Sequence, residues 1–187
     1  MQDGSTHGLG GAAIGTQPSA LELRGISKRF GTFYANRDVN LDLRAGEVHC
    51  LCGENGAGKS TMMNMLYGLL APTEGQILMD GRPVEIKGPR HAIDLGIGMV
   101  HQHFMLIPVF TVAENIVLAD EPTAGGVIDF PAAVDQVRQL SDRYGLQVDP
   151  TARVENITVG QQQRAEILKA LYRKARILIL DEPTAVL

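Results

Sequence analysis

The chain contains no tryptophan, four tyrosines and five phenylalanines, so it offers no aromatic belt of the kind that seats a protein at a membrane interface. It also lacks an apolar run long enough to cross a bilayer, which takes roughly 18 or more consecutive apolar residues. The best candidate, residues 104–118, is broken by Pro108, Glu114 and Asn115. The N-terminus has neither a positive n-region nor an apolar h-region, so no signal peptide is expected. If the protein works at a membrane, a partner is expected to carry it there. An excess of one charge is missing too. Lys and Arg number 17 against 21 Asp and Glu, a formal net charge of -4, which gives no basis for broad attraction to nucleic acid or to an anionic membrane surface. Cysteine is scarce: Cys50 and Cys52 stand two apart in an apolar segment. On a strand they share a face and are too constrained for an easy mutual disulfide, and a metal centre needs more ligands than this pair. They read as buried core thiols, which fits a reducing compartment.

What is present describes a folded domain. The 187 residues are 44% hydrophobic and 20% charged, enough for one globular unit with a real core. Residues 1–20, rich in Gly, Ser, Thr and Gln, read as a disordered tail. Strand patterns begin at Leu21-Glu22-Leu23 and recur where Val39, Leu41 and Leu43 alternate with Asn40 and Asp42. Residues 47–52 form a short apolar strand run. Residues 60–70 place Met62, Met63, Leu66, Leu69 and Leu70 at helical spacing. Short strands are expected at 76–79 and 84–86 around Asp80-Gly81, a short helix at 89–95 and a buried strand at 97–100. Thr111 and Glu114 form a capping-box pair before a helix at 111–119. Further helices are expected at 131–144, stopped by Gly145, and at 161–173, with Ala165, Leu168 and Leu171 on one face. The unbroken run Ile177 to Leu180 reads as a central parallel strand covered on both sides. Strands alternating with helices imply an α/β fold with a mainly parallel sheet. The helix-rich stretch from about 104 to 172 reads as an inserted subdomain.

Gly53-Glu54-Asn55-Gly56-Ala57-Gly58-Lys59-Ser60 fits the phosphate-binding pattern G-x-x-x-x-G-K-[ST], between a strand run and a helix as that pattern requires. The glycines let backbone N–H groups curl around phosphate oxygens, and the following helix start adds the positive end of its dipole. Lys59 supplies a charge for the β- and γ-phosphates, and Ser60 a hydroxyl for Mg²⁺. Ile177-Leu178-Ile179-Leu180-Asp181-Glu182 ends an apolar strand in two acids, and ligands of open α/β sheets bind at the carboxyl ends of strands. Asp181 is thereby placed to hold Mg²⁺ and Glu182 to polarise an attacking water. His101 and His103 flank Gln102 as an H-x-H pair with no third ligand in view, and are taken as structural. Met62, Met63 and Met65 fit core packing. Arg24, Lys28 and Arg29 fit a solvated face.

A phosphate loop alone leaves kinases, GTPases and helicases open. The segment Ile157-Thr158-Val159-Gly160-Gln161-Gln162-Gln163-Arg164 resembles the signature motif of ATP-binding cassette proteins and lies just upstream of the acidic strand, as in that family. Gln102 matches the family's Q-loop glutamine, and Phe30 in Lys28-Arg29-Phe30-Gly31 matches the aromatic that stacks on adenine. Asp181-Glu182-Pro183-Thr184 matches the start of the loop after the acidic strand. The resemblance spans about residues 21–187, with the motifs in the family's order. It is nearest to the nucleoside and simple-sugar importer branch, through residues 98–108 around Gln102 and through 166–173. Two signature positions depart from the general pattern: Val159 stands where Gly is usual, a mark of that branch, and Thr158 replaces Ser while keeping the hydroxyl.

The resemblance implies a P-loop NTPase core and a head-to-tail pair of cassettes, in tandem or as a dimer, with Mg²⁺ and ATP sandwiched between them. One cassette would give Phe30, the loop from Gly53 to Thr61, Asp181, and the catalytic residues Glu182 and Gln102, the latter also a metal contact. The other would give Thr158, Gly160 and Gln161. It also implies permease subunits, indirectly a solute-binding receptor, no nucleic-acid partner, and a peripheral place on the cytoplasmic face of the cell membrane. The family's switch histidine would lie beyond Leu187, so the chain as it stands is expected to show little sustained ATPase activity. The residues leave two other readings open: a cassette protein that acts on ribosomes or DNA without transport, and a catalytically silent nucleotide-binding module.

Overall fold

A computed structural model describes residues 19–102 and 104–181. Two strands open the fold. In β1 (Leu21–Phe30) and β2 (Phe33–Leu43), Leu21 pairs with Leu43 and Leu23 with Leu41, so the apolar members of both alternations fall on one face. Only Gly31 and Thr32 separate the strands, and so short a connection makes the pair antiparallel. After the loop comes α1 (Lys59–Leu66), followed by β3 (Glu74–Met79) and β4 (Arg82–Val84), which turn back at Asp80-Gly81. β3 runs antiparallel to β1, with Leu21 opposite Met79 and Leu23 opposite Ile77. The backbone N–H of Asp80 donates to the Ala20 carbonyl at 3.3 Å. The resulting sheet is four-stranded, ordered β2-β1-β3-β4.

α2 (Pro89–Asp94) leads into β5 (Ile97–Val100). Then follow α3 (Val112–Val117), a short hairpin of β6 (Thr123–Ala124) and β7 (Val127–Ile128), α4 (Phe130–Tyr144), α5 (Val159–Tyr172) and β8 (Ile177–Leu180). β5 and β8 pair in parallel, Ile97 to Ile177 through Val100 to Leu180. Two cores result. One collects Leu21, Leu23 and Ile26 with Met62 and Met65 of α1, Ile97 and Met99 of β5, and Ile177 and Ile179 of β8. The other gathers Val112, Ile116, Ala133, Val137, Ala165 and Leu168 from α3, α4 and α5.

The expectation of a mainly parallel sheet is corrected: among the described residues only β5–β8 is parallel, and the larger sheet is antiparallel. Hairpin turns at Gly31-Thr32 and Asp80-Gly81 dictate that geometry. The run at 47–52 is not a strand, and Val48 is 95% exposed. An apolar β-prone sequence becomes a strand only when a neighbour takes up its N–H and C=O groups, and no described strand pairs with it. Cys50 and Cys52 are accordingly exposed rather than buried, with their sulfurs 3.4 Å apart. β8 also departs from the expected two-sided burial. Ile177 and Ile179 face the core, while Leu178 and Leu180 are 37% and 42% exposed.

Candidate functional site

The loop at 53–60 leads directly into α1, which starts at Lys59. Gly56 and Gly58 both take φ of +87°, a left-handed conformation that residues with a Cβ adopt only with strain. Gly58 has a second constraint. A Cβ there would run into the Ala35 carbonyl oxygen and come within 2.7 Å of the Asn36 side-chain nitrogen. β2 is therefore pressed against the end of the loop, and Asn36 Nδ2 donates to the Gly58 carbonyl at 3.1 Å. Lys59 lies back across the loop, its Nζ donating to the carbonyls of Gly53 at 2.6 Å and Glu54 at 2.9 Å. A second loop bond, Ala57 N–H to the Glu54 carbonyl at 3.1 Å, tightens the bend. Ser60 is exposed and Thr61 half-buried on the first turn of the helix.

Phe30 ends β1 at the tip of the first hairpin. Its ring is 49% exposed, with Lys28 Nζ 5.4 Å from the ring centroid. The contact of β2 with Gly58 ties this hairpin to the loop. At the end of the parallel pair, the Asp181 N–H donates to the Val100 carbonyl at 3.1 Å, which sets Asp181 beside the chain that leads to Gln102. Gln102 is exposed just beyond β5. His101 meets Tyr67, the residue that ends α1, edge to face at 5.7 Å. Glu182 and His103 lie outside the described residues.

Thr158, Gly160 and Gln161 sit together at the start of α5. Thr158 caps the helix: its hydroxyl accepts from the Gln161 N–H, and Gln161 Oε1 accepts from the Thr158 N–H at 2.9 Å. Val159 is the first helical residue and takes no positive φ, so its Cβ carries no penalty there. A Cβ at Gly160 would meet nothing within 4 Å, leaving that backbone open to approach. These residues open the helix whose Ala165 and Leu168 enter the helical core, and the side-chain bonds of Thr158 and Gln161 are to each other.

Sequence patterns missed three functional-looking side chains. Asn36 carries no local signal, because its importance lies in the contact of β2 with Gly58. Glu166 is only 5% exposed, and its carboxylate accepts from the Met105 N–H at 2.6 Å. Lys169 donates to the Met105 carbonyl at 3.2 Å. Burial holds the Lys169 ammonium below the usual lysine range, with Arg173 adding to that effect and Glu166 opposing it. No local pattern marks Glu166, whose helical neighbours at 162, 163 and 169 are polar. Glu166, Lys169 and Met105 line a cavity of about 270 Å³ between the end of α1, β5 and α5, with Tyr67, His101 and Arg173 also at its wall.

A loop of left-handed glycines followed by a lysine at a helix start is an anion cradle, and together with an acid at the end of a parallel strand it defines the class of phosphate-loop nucleotide-binding proteins. The donor set suits Mg²⁺. That ion prefers hard oxygen ligands and is commonly held by one or two protein groups plus substrate phosphates, as Ser60 and Asp181 could provide. Among the described residues no group of three or more His, Cys, Asp or Glu could hold a metal alone.

The family model described as ABC transporter matches residues 36–185, and the chain belongs to that family. It is 56% identical over 169 residues to the nucleoside import ATP-binding protein NupA of Lactococcus lactis, covering 90% of this chain and 33% of that protein. It is 58% identical over 167 residues to the guanosine import ATP-binding protein NupO of Bacillus subtilis, covering 89% of this chain and 33% of that one. The chain thus spans about a third of the length of the curated relatives it matches. Among solved structures it is similar to the dimeric post-hydrolysis state of the ATP-binding cassette MJ0796 bound to ADP and Pi. There the TM-score is 0.69 at 28% identity, covering 89% of this chain and 75% of that one. No helix among the described residues is long and apolar enough to cross a membrane.

Proposed function

We propose that this chain supplies the ATP-binding and ATP-hydrolysing cassette that energises import of a nucleoside through a separate permease. The observation that carries the nucleotide half of this reading is the loop at 53–60, with Gly56 and Gly58 at φ +87° and Lys59 opening α1. The nucleoside half is supported by the 56% and 58% identities to a nucleoside and a guanosine import protein.

In this reading Phe30 stacks on the adenine and the loop amides hold the phosphates. Lys59 leaves the carbonyls of Gly53 and Glu54 to meet the β- and γ-phosphates. Ser60, Asp181 and Gln102 would hold Mg²⁺, which when bound would supply charge neutralisation at the phosphates. Glu182 orients and polarises the attacking water. Thr158, Gly160 and Gln161 act on the ATP of a second cassette placed head to tail. The positive end of α5 there faces a γ-phosphate. The related cassette bound to ADP and Pi is dimeric, which supports a second cassette as partner. The cassette works at the cytoplasmic face of the membrane, held there by the permease, with a solute receptor as indirect partner.

The test is uptake of labelled nucleoside by cells carrying the full-length protein or its Glu182→Gln variant as the sole copy. Gln keeps the shape and removes the carboxylate, so the variant should bind ATP and lose most uptake. Undiminished uptake in the variant removes Glu182 from the reaction. Lost uptake of a monosaccharide, with nucleoside uptake intact, reassigns the solute.

A further inference from the structure

The chain between β5 and α3 has no regular secondary structure at 101–102 and 104–110, yet two of its residues have both backbone groups taken by side chains. Met105 donates its N–H to Glu166 at 2.6 Å, and its carbonyl accepts from Lys169 at 3.2 Å. Two residues on, Ile107 donates its N–H to Asn115 Oδ1 at 2.7 Å and accepts from Asn115 Nδ2 at 3.0 Å. Asn115 is fully buried on α3 and also donates to the Thr111 carbonyl at 3.0 Å. The far end of this connection is therefore fixed to the helical core.

Its near end is joined to the nucleotide side. Val100 accepts from the Asp181 N–H, and the His101 ring meets Tyr67 at the end of the helix that starts at Lys59. From the loop, α1 leads to Tyr67 and Tyr67 meets His101; His101 is joined by the chain itself to Met105, which Glu166 and Lys169 bind to α5. Met105 sits between two groups one helical turn apart on α5, which are neighbours on one face. Fixing the two backbone groups of one residue with two partly desolvated, oppositely charged side chains is costly if its only effect is to satisfy one N–H and one C=O. The same pair sets where Met105 lies along α5.

We propose that Glu166 and Lys169 are positioning residues that clamp Met105 to α5, so that nucleotide binding at the loop is felt at the α5 N-terminus around Thr158. The inference rests on the nucleotide-binding reading above. α5 is a single unbroken helix from Val159 to Tyr172, so a shift at Glu166 is carried to Thr158 without an intervening joint. Contiguity alone does not establish coupling, and the experiment measures coupling itself.

Hydrogen–deuterium exchange of the full chain, with and without Mg-ATP, reads three segments: 53–62, 101–107 and 158–163. In the parent, Mg-ATP should slow exchange in all three. In Lys169→Met the first segment should keep its protection while the ATP-dependent slowing at 158–163 falls at least threefold. Lys169→Arg should restore it. Glu166→Gln keeps the acceptor oxygen but removes the carboxylate's pull on Lys169, and should give an intermediate loss. A purely structural clamp would lower overall protection equally with and without nucleotide and leave the ATP-dependent difference unchanged, which overturns the proposal. So does parent chain protected at 53–62 but not at 158–163. No protection at 53–62 in the parent overturns the nucleotide-binding reading first and this inference with it.

Discussion

Replacing Gly58 with alanine should cost this protein more stability than the same change at Gly56, although both glycines have a φ of +87°. Forcing a residue with a Cβ into the left-handed region costs about 1–2 kcal/mol at either site. At Gly56 nothing lies within 4 Å of the new atom, so that is nearly the whole effect. At Gly58 the new methyl meets the Ala35 carbonyl and the Asn36 side chain. The carbonyl lies within β2 at an irregularity where Ala35 itself has no partner on β1, and β2 and the loop must part to admit the methyl. Overpacking of this kind adds about 1–3 kcal/mol. The Gly58→Ala total is then about 2–5 kcal/mol, a large share of a stability of about 5–15 kcal/mol. At about 2–4 °C per kcal/mol for a chain of this size, Gly58→Ala should melt about 4–20 °C below the parent and Gly56→Ala about 2–8 °C below it. The assay is thermal unfolding without nucleotide, followed by circular dichroism, with urea midpoints as a check. Equal losses in the two variants would refute the claim that β2 is pressed against the end of the loop.

Asn115→Leu keeps the volume but strips the partners from both backbone groups of Ile107 in a fully buried site, and should destabilise by about 2–4 kcal/mol; a urea midpoint within error of the parent would show that the 107 segment finds other partners. The Asp80–Arg176 pair is bidentate at 3.0 Å, but both side chains are more than half exposed, so Asp80→Asn should cost less than about 1 kcal/mol at neutral pH and low salt. The hydrogen bonds and charge of Arg176 hold the Asp80 carboxyl below its ordinary value of 3.8. Its contribution is therefore fully present above that value and is lost as pH falls through the lowered one. Parent and Asp80→Asn unfolding curves should converge at the acid end, and a gap that widens on acidification would reverse the sign.

The parts of this fold that local pattern decides were legible. β5 matches residues 97–100 as expected, the capping box of Thr111 and Glu114 is formed, and α4 stops at Gly145. β1 was harder to read because polar residues from Arg24 onward break the alternation, and its length is set by pairing with β2 and β3. The run at 47–52 shows the same limit from the other side. Its composition favours a strand, yet strand formation depends on a partner that no local pattern specifies. The left-handed glycines of the loop and the helix start at Thr158 were legible because their local geometry is encoded in contiguous residues. Asn36, Glu166 and Lys169 were not, since each acts on backbone 22 to 64 residues away.

The central claim is that the loop at 53–60 binds Mg-ATP through Lys59, and calorimetric titration of ATP, with and without Mg²⁺, into the parent chain and Lys59→Ala tests it most directly. Removing a charge-assisted contact of this kind weakens binding by about 1.5–3 kcal/mol, so the variant should bind at least tenfold more weakly while melting within a few degrees of the parent. A parent that binds ATP and a folded Lys59→Ala that binds it equally well would contradict the account.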